Sequence, residues 1–199
     1  MKKKLIILTG PTAVGKTDLS IRLARTVGGE IISADSMQVY RRMDIGTAKI
    51  RPEEMDGVRH HLIDILEPTE SFNAFLFKEY ALKAANEIWE RGSIPIIVGG
   101  TGFYIQTLLY DIEFAKSDEN DGIREELNKL YEEHGAAFLH DMLAKVDPEY
   151  AAEVHENNVK KVIRAIEFYR QTGHKLSEHN TEQRERTSPY NFELSLIHI

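Results

Sequence analysis

The sequence contains no cysteine. This absence excludes disulfide bonds, thiolate catalysis and zinc sites built on thiolates, and it is compatible with a reducing cytoplasm. A metal ion bound by this chain would therefore have oxygen ligands, and we expect the protein to be cytoplasmic.

Long apolar runs and an excess of positive charge are also lacking. The apolar stretch after residues 2–4 ends within about five residues, which is shorter than the roughly 7–15 residues of a signal-peptide core. No segment is long enough to span a bilayer. The formal net charge of −7 argues against broad, nonspecific affinity for nucleic acid. A nucleic-acid partner would have to use a local basic surface.

The most informative feature that the chain does contain is the octapeptide GPTAVGKT, which follows the apolar residues 5–8. The pattern G-x-x-x-x-G-K-[ST] between a buried strand and a helix predicts a loop that binds polyphosphate, because backbone N–H groups and the helix dipole face one anion. Lys16 is expected to reach the phosphates, and the Thr17 hydroxyl is expected to hold Mg²⁺. The predicted phosphate-binding residues are Gly10, Pro11, Thr12, Ala13, Val14, Gly15, Lys16 and Thr17.

Short apolar runs predict an α/β fold in which a parallel sheet is covered by helices on both faces. Strands are predicted over residues 5–8, 30–34, 60–65, 94–98 and 191–197, and helices over 16–27 and 73–91. In the first helix, Leu19, Leu23 and Val27 are expected to share the apolar face.

The pattern changes near residue 111, where helices rich in Glu and Lys replace the alternation of strands and helices. We predict the first part of the sheet domain over 1–111, a helical insertion over 112–187 and a return strand of the sheet over 188–199. The helix over 158–171 could belong either to the insertion or to the sheet domain. Because no helix would cover that last strand, the sheet domain is expected to be truncated.

Local signals inside the insertion predict where its helices begin and end. Ser117 or Asp118 is expected to cap a helix that ends at Gly135, and Pro148 suits the first turn of another helix.

The densest basic face of the chain is predicted on a helix that runs from Asn158 to Gly173. Its apolar residues recur at helical spacing, so Lys160, Lys161 and Arg164 fall on the opposite side. Such a face is either simply solvated or binds a phosphate backbone, and both interpretations stay open here.

Polar residues follow the strand predicted over 30–34, and ligands of open parallel sheets bind beyond the carboxyl ends of the strands. Asp35 could accept a proton from a group held near the phosphates, or it could cap a following helix. Ser36 and Gln38 could hydrogen-bond a heterocycle, or they could be ordinary surface residues.

Thr101 stands between glycines, which allow a ligand or another backbone segment to approach closely and leave the threonine as the polar contact. A P-loop ATPase usually has a Mg²⁺-organising aspartate after a second buried strand, but the strand before Thr101 ends in glycine. Asp64 could substitute for this acid or could be only a turn residue. The missing acid weakens an ATPase interpretation.

Five segments together form a more specific pattern than the phosphate-binding loop alone. They are GPTAVGKT at 10–17, ISADSMQVY at 32–40, HHLID at 60–64, IIVGGTGFY at 96–104 and NNVKKVIRAIE at 157–167. In this order and spacing they resemble the bacterial tRNA dimethylallyltransferase family. Phe103 stands where many members have leucine, which is a mild change.

The resemblance implies a P-loop NTPase-like fold and an alkyl transfer rather than a phosphoryl transfer. A dimethylallyl group would pass from dimethylallyl diphosphate to N6 of adenosine 37, beside the anticodon of tRNAs that read codons beginning with U. The loop would hold the leaving diphosphate, with Mg²⁺ as cofactor. Dimethylallyl diphosphate and the tRNA anticodon stem-loop would be the partners, and a monomer without membrane association is expected.

The same resemblance implies roles for individual residues. Lys16, Asp35 and Thr101 are the expected catalytic residues, with Asp35 as the base, and Thr17 is the expected metal ligand. The expected tRNA contacts are Asp35, Ser36, Met37, Gln38, Thr101, Arg124, Asn158, Val159, Lys160 and Lys161. Such local contacts are compatible with a negative net charge.

Other functions stay open from the sequence. An adenylate isopentenyltransferase would alkylate free AMP, ADP or ATP, although the insertion with Arg124 and residues 158–161 favours tRNA. The phosphate-binding loop alone would also suit a small-molecule kinase that consumes ATP. A non-catalytic nucleotide-binding module is the third alternative, and Asp35 argues against it.

Overall fold

The computed structural model describes residues 2–112 and 122–197, apart from the side chain of Arg184. The strands are β1 Lys4–Thr9, β2 Gly29–Ser33, β3 His60–His61, β4 Ile94–Gly99 and β5 Asn191–Leu196. The helices are α1 Lys16–Val27, α2 Ala74–Glu90, α3 Gly102–Leu109, α4 Ile123–His134, α5 Ala136–Val146, α6 Pro148–Glu153, α7 Val159–Thr172 and α8 Leu176–Glu185. The strands form one parallel sheet in the order β3-β2-β4-β1-β5, which confirms the predicted α/β class.

Both faces of the central strands are covered. Ile31 and Ile32 of β2 are both buried, as are Ile96 and Ile97 of β4, although neighbouring residues of a strand point to opposite faces. The helix α1 packs on the face of Ile31 and Ile96, and α2 also contacts β2 and β4. This arrangement explains why the strands read as continuous apolar runs rather than alternating ones.

The strand register brings the carboxyl ends of the strands to one edge of the sheet. Thr9, the last residue of β1, pairs with Gly99 of β4 and Leu196 of β5. Ser33, the last residue of β2, pairs with Val98 of β4. The segments that follow β2, β4 and β1 therefore emerge side by side, at the edge where open parallel sheets bind ligands.

Two details of the sheet domain differ from the sequence-based predictions. The strand predicted over 60–65 has only two residues, because Leu62 and Asp64 adopt left-handed conformations with φ of 63° and 54° that end the extended run. Leu19, predicted on the apolar face of α1, is 42% exposed. The side of α1 that packs against the sheet is the neighbouring one, which contains Ala24.

The chain divides into two compact units, one formed by Met1–Ile112 with Thr187–Ile199 and the other by Glu113–Arg186. The boundaries predicted from the sequence differ from these by one residue at each end. Within the described ranges, no helix has the length and apolar composition needed to cross a membrane.

The second unit contains α4 to α8. Gly135 and Gly173 follow α4 and α7, and Pro148 begins α6, as predicted. Ser117 and Asp118 lie outside the described residues. The apolar cluster of this unit has at its centre Leu127, Leu139, Leu143, Val162, Ala165 and Ile166.

A fully buried carboxylate connects two helices of the second unit. Asp147 Oδ1 accepts hydrogen bonds from the N–H of Tyr150 at 3.1 Å and from the hydroxyl of Ser177 at 2.7 Å, and Oδ2 accepts from the N–H of Ser177 at 2.9 Å. Asp147 therefore caps α6 and ties it to the beginning of α8.

The substitution Asp147→Ala is expected to lower the free energy of unfolding by about 2 kcal/mol or more, because the donors of Tyr150 and Ser177 lose their acceptor in a buried place. Chemical denaturation of the wild-type chain and the variant measures this difference. The exposed Asp141 offers a matched control, and Asp141→Ala should stay within about 0.5 kcal/mol of the wild type. Equal stabilities for the two variants would contradict the assigned role of Asp147.

Candidate functional site

The segment between β1 and α1 has the backbone of an anion-binding loop. Gly10, Ala13 and Gly15 have φ values of 151°, 66° and 81°, and such interruptions are typical of loops in which successive N–H groups face one anion. Gly15 is the N-cap of α1, so the N–H groups of the first helical turn have no acceptor within the helix. The predicted phosphate-binding residues 10–17 therefore surround the positive end of a helix dipole.

Lys16 folds its side chain back over this loop. Its Nζ donates hydrogen bonds to the carbonyl oxygens of Gly10 at 2.9 Å and Pro11 at 2.5 Å. Burial lowers the pKa of the Lys16 ammonium below its usual value, and the negative charge of Asp35 opposes this shift. Lys16 and Asp35, which follow different strands, are thus within electrostatic reach of each other.

Glycines allow the strand ends to approach more closely than side chains would. A Cβ on Gly10 would lie 2.1 Å from the carbonyl oxygen of Ile197, and a Cβ on Gly99 would lie 2.3 Å from the carbonyl oxygen of Ala34. A Cβ on Gly100 would lie 3.3 Å from the Gly10 carbonyl oxygen. Gly10 and Gly99 therefore exclude larger residues, because each faces backbone atoms that no side chain can move aside, whereas the contact at Gly100 is only tight.

Asp35 caps the turn that follows β2. Its Oδ1 accepts hydrogen bonds from the N–H groups of Met37 at 2.8 Å and Gln38 at 3.2 Å. The sequence left open whether Asp35 is a helix cap or a base, and the segment after it forms a turn rather than a helix. Both recorded bonds use Oδ1, so capping the turn and accepting a proton at Oδ2 are compatible functions.

The side chains predicted to contact a nucleobase after Asp35 have different surroundings. Met37 is 41% exposed, and Ser36 is half-buried. The Gln38 amide lies between other residues, since its Oε1 accepts from the Ser33 hydroxyl at 3.1 Å and its Nε2 donates to the Thr47 carbonyl oxygen at 3.3 Å. A contact between Gln38 and a base would have to share or replace these two bonds.

Thr101 lies between β4 and α3, beside the end of β2. Its N–H donates to the Ala34 carbonyl oxygen at 3.4 Å, which places it next to Asp35. The Thr101 side chain makes no capping hydrogen bond to α3. The sheet register therefore brings the phosphate-binding loop, Asp35 and Thr101 to one edge, although they are far apart in the sequence.

Tyr104 is a residue of this edge that sequence reasoning missed. It is buried, with its ring stacked on Phe77 at a centroid distance of 4.7 Å. Burial raises the pKa of the Tyr104 phenol, and the charges of Tyr40 and Asp35 raise it further. Both tyrosines stand within the specific segments ISADSMQVY and IIVGGTGFY, which was the signal that could have pointed to them.

The described chain offers few ligands to a metal ion. Thr17, the predicted ligand, is exposed in the first turn of α1. Within residues 2–112 and 122–197, no group of three or more His, Cys, Asp or Glu side chains is placed to hold a metal ion. Asp64, the alternative acid, instead binds the Lys49 ammonium with an Nζ–Oδ1 distance of 2.6 Å. The Thr17 hydroxyl therefore suits a Mg²⁺ ion only if water and substrate phosphates supply most of the other ligands. Proteins commonly bind Mg²⁺ in this way.

The remaining predicted tRNA contacts belong to the second unit. Asn158 is the N-cap of α7, and Lys160 and Lys161 are exposed in its first turn, whereas Val159 is half-buried. The positive end of a helix dipole and two ammonium groups therefore lie within one turn.

Arg124 is held against α7 by an ion pair. Its Nη2 lies 2.5 Å from Oε2 of Glu167, a buried residue of α7. A second pair joins the same helices, with 3.1 Å between Arg170 Nη1 and Glu126 Oε2. An RNA contact by Arg124 would use guanidinium donors other than the one bound to Glu167, and arginine has five.

Comparisons with known proteins show which sequences and structures are similar to this chain. A tRNA dimethylallyltransferase of Lachnoclostridium phytofermentans is 58% identical over 188 residues, which are 94% of this chain and 60% of that protein. A tRNA dimethylallyltransferase of Bacillus cytotoxicus is 50% identical over 183 residues, which are 92% of this chain and 58% of that protein. The chain thus spans about three fifths of the length of these curated relatives.

Two solved structures are similar to this one. A eukaryotic dimethylallyltransferase acting on tRNA has a TM-score of 0.88 and 35% identity, over 98% of this chain and 48% of that chain. The tRNA Δ2-isopentenylpyrophosphate transferase of Staphylococcus epidermidis has a TM-score of 0.61 and 48% identity, over 98% of this chain and 63% of that chain. The family described as IPP transferase matches residues 38–198. Since this match covers most of the sequence, the chain belongs to the IPP transferase family.

Proposed function

We propose that this protein transfers a dimethylallyl group from dimethylallyl diphosphate to N6 of adenosine 37 in tRNAs that read codons beginning with U. The observation that carries the proposal is the meeting of the phosphate-binding loop, Asp35 and Thr101 at one edge of the sheet. An anion site beside a carboxylate suits a reaction in which a diphosphate leaves while an amine loses a proton. The identity to tRNA dimethylallyltransferases supports this choice of substrates.

The phosphate-binding loop serves the leaving group. Negative charge grows on the diphosphate as the allylic C–O bond breaks, and the N–H groups of residues 12–17 with the Lys16 ammonium would stabilise that charge. Lys16 would exchange its bonds to the Gly10 and Pro11 carbonyl oxygens for phosphate oxygens. The Thr17 hydroxyl would hold Mg²⁺, which neutralises phosphate charge when bound.

Asp35 serves the acceptor. The lone pair of the adenine amino group is drawn into the ring, so its attack on carbon is assisted by a base that removes the proton. The new bond joins N6 to the allylic carbon, the proton passes to Asp35, and diphosphate leaves with the electrons of the broken C–O bond. Thr101, beside Asp35, would contact the nucleotide or the bridging oxygen of the donor.

An RNA acceptor has to expose its base. Adenosine 37 would leave the anticodon-loop stack at a cost of about a few kcal/mol, and single-stranded loops are the places where proteins read RNA sequence. Ser36, Met37 and Gln38 would contact the flipped base. Arg124 and residues 158–161 would bind the phosphate backbone, which gives a chain of net negative charge a local basic surface. We further propose that the protein acts as a monomer in the cytoplasm.

Comparison of acceptors tests the proposed function. Protein expressed from the full reading frame is incubated with Mg²⁺, dimethylallyl diphosphate and either unmodified tRNA with adenosines at positions 36 to 38, AMP or ATP. Mass spectrometry of the nucleosides should show N6-dimethylallyladenosine from the tRNA alone. Transfer to AMP or ATP in preference to tRNA would identify an adenylate isopentenyltransferase, and no transfer to any acceptor would refute the proposal.

A further inference from the structure

Lys49 is a lysine whose ammonium is enclosed in an otherwise exposed part of the chain. Its side chain is 4% exposed. Nζ donates hydrogen bonds to the Tyr40 carbonyl oxygen at 2.7 Å, to Asp44 Oδ1 at 2.8 Å and to Asp64 Oδ1 at 2.6 Å. These three acceptors match the three donors of an ammonium group.

The three acceptors belong to two different segments of the chain. Tyr40 and Asp44 lie in the segment that follows Asp35, whereas Asp64 lies in the segment that follows β3. Backbone bonds join the same two segments, since the N–H of Asp64 donates to the Gln38 carbonyl oxygen at 3.2 Å. Lys49 therefore joins the segment after Asp35 to the segment after β3, where the two run side by side.

The charge of Lys49 is stable in this place. Burial alone would lower the pKa of the ammonium, but hydrogen bonds to Asp44 and Asp64 and their negative charges outweigh burial and raise the pKa. A group that keeps its proton does not act as an acid or base near neutral pH. Lys49 can therefore act through the geometry that it maintains rather than through proton transfer.

A chain of contacts leads from Lys49 to the turn after Asp35. Thr47, two residues before Lys49, accepts the Gln38 Nε2 hydrogen bond at its carbonyl oxygen, and Ser33 donates to the other side of the same amide. Gln38 also belongs to the turn that Asp35 caps. Without the Lys49 ammonium, the Thr47 carbonyl would be held only by local bonds, such as the one from the Thr47 hydroxyl to the Met43 carbonyl oxygen, and the Gln38 amide would have a less fixed partner.

We propose that Lys49 is a positioning residue that orients the turn of residues 35–38 toward the acceptor adenine, so that it governs binding of the acceptor and not of the donor. This inference rests on the proposed function. The donor is held by residues 10–17, which follow a different strand, so the two substrates give separate readouts.

The test compares Lys49→Met with Lys83→Met, which replaces an exposed lysine of α2. In Lys49→Met, the KM for tRNA should rise at least about fivefold, because the Tyr40 carbonyl oxygen and the two carboxylates lose the charged partner that joins their segments. The KM for dimethylallyl diphosphate and the affinity for inorganic diphosphate should stay within about twofold, and Lys83→Met should match the wild type. An unchanged KM for tRNA, or equal losses for both substrates, would overturn the inference.

A second variant keeps the test decisive if Lys49→Met does not fold. Asp64→Asn retains an oxygen acceptor for Lys49 but removes the charge, and asparagine tolerates the φ of 54° at this position. It should fold and raise the KM for tRNA by a smaller factor, again without a change for the donor. Equal KM values for Asp64→Asn and the wild type would reject the inference, whereas a wild-type protein that does not alkylate tRNA would reject the proposed function instead.

Discussion

Replacement of Asp35 by asparagine should lower kcat for dimethylallyl transfer by about 10²–10⁴-fold, which is the usual contribution of a positioned base. Asparagine keeps an oxygen that can accept the N–H bonds of Met37 and Gln38, so the turn should retain its geometry. It cannot take the proton of the amino group. Single-turnover transfer to tRNA, measured from rapid-quench samples, gives the rate of the chemical step.

The variant Asp35→Ala separates the two functions of this side chain. Alanine removes both the proton acceptor and the cap, so we expect a slower reaction together with weaker tRNA binding, whereas Asp35→Asn should bind tRNA normally. Affinity for inorganic diphosphate should not fall in either variant, because residues 10–17 are proposed to hold that ligand. Transfer by Asp35→Asn at the wild-type rate would show that another group accepts the proton.

The second large effect is expected from Gly99→Ala. The added Cβ would lie 2.3 Å from the carbonyl oxygen and 2.5 Å from the carbonyl carbon of Ala34, so β2 and β4 would have to separate at their carboxyl ends. Such overpacking costs about 1–3 kcal/mol and occasionally more. The separation would also displace Asp35 and Thr101, and a shift of about 1 Å can lower a rate by about 10²-fold.

Gly102→Ala is the matched control, since this glycine flanks Thr101 on the other side. Apart from its chain neighbours and the nearby backbone of α3, no described atom lies within 4 Å of the position that its Cβ would occupy, and alanine favours the helix that begins there. Thermal unfolding and transfer rates of the two variants should therefore differ strongly. If Gly99→Ala unfolds at the same temperature as Gly102→Ala and transfers equally fast, the close approach of β2 and β4 does not exist in solution.

The sequence predicted those parts of the fold that depend on neighbouring residues. The loop of residues 10–17, the helix α1 and the glycines after α4 and α7 each have a local pattern that determines their backbone. The parallel sheet was also predicted, because continuous apolar runs indicate strands that are buried on both faces. Asp35 and Thr101 could be expected at one edge for the same reason.

Other parts of the site depend on tertiary contacts that leave no local pattern. The burial of Lys49 requires acceptors at three separate positions of the chain, and a lysine in a polar segment normally predicts only exposure. The apolar content of residues 60–65 predicted a longer strand than the structure has. The left-handed conformations of Leu62 and Asp64 end that strand early. The choice of substrates came from the resemblance and not from geometry, since a phosphate-binding loop serves many reactions. The individual tRNA contacts and the Mg²⁺ ligand stay predictions.

The most direct test of an alkyl-transferring phosphate site is the stoichiometry of its products. Protein from the full reading frame is supplied with dimethylallyl diphosphate, Mg²⁺ and unmodified tRNA, and both inorganic diphosphate and N6-dimethylallyladenosine are counted in the same samples. We expect one diphosphate for each modified adenosine, with no need for ATP. Formation of ADP from added ATP, or release of phosphate without any modified adenosine, would contradict the assignment of this site to alkyl transfer.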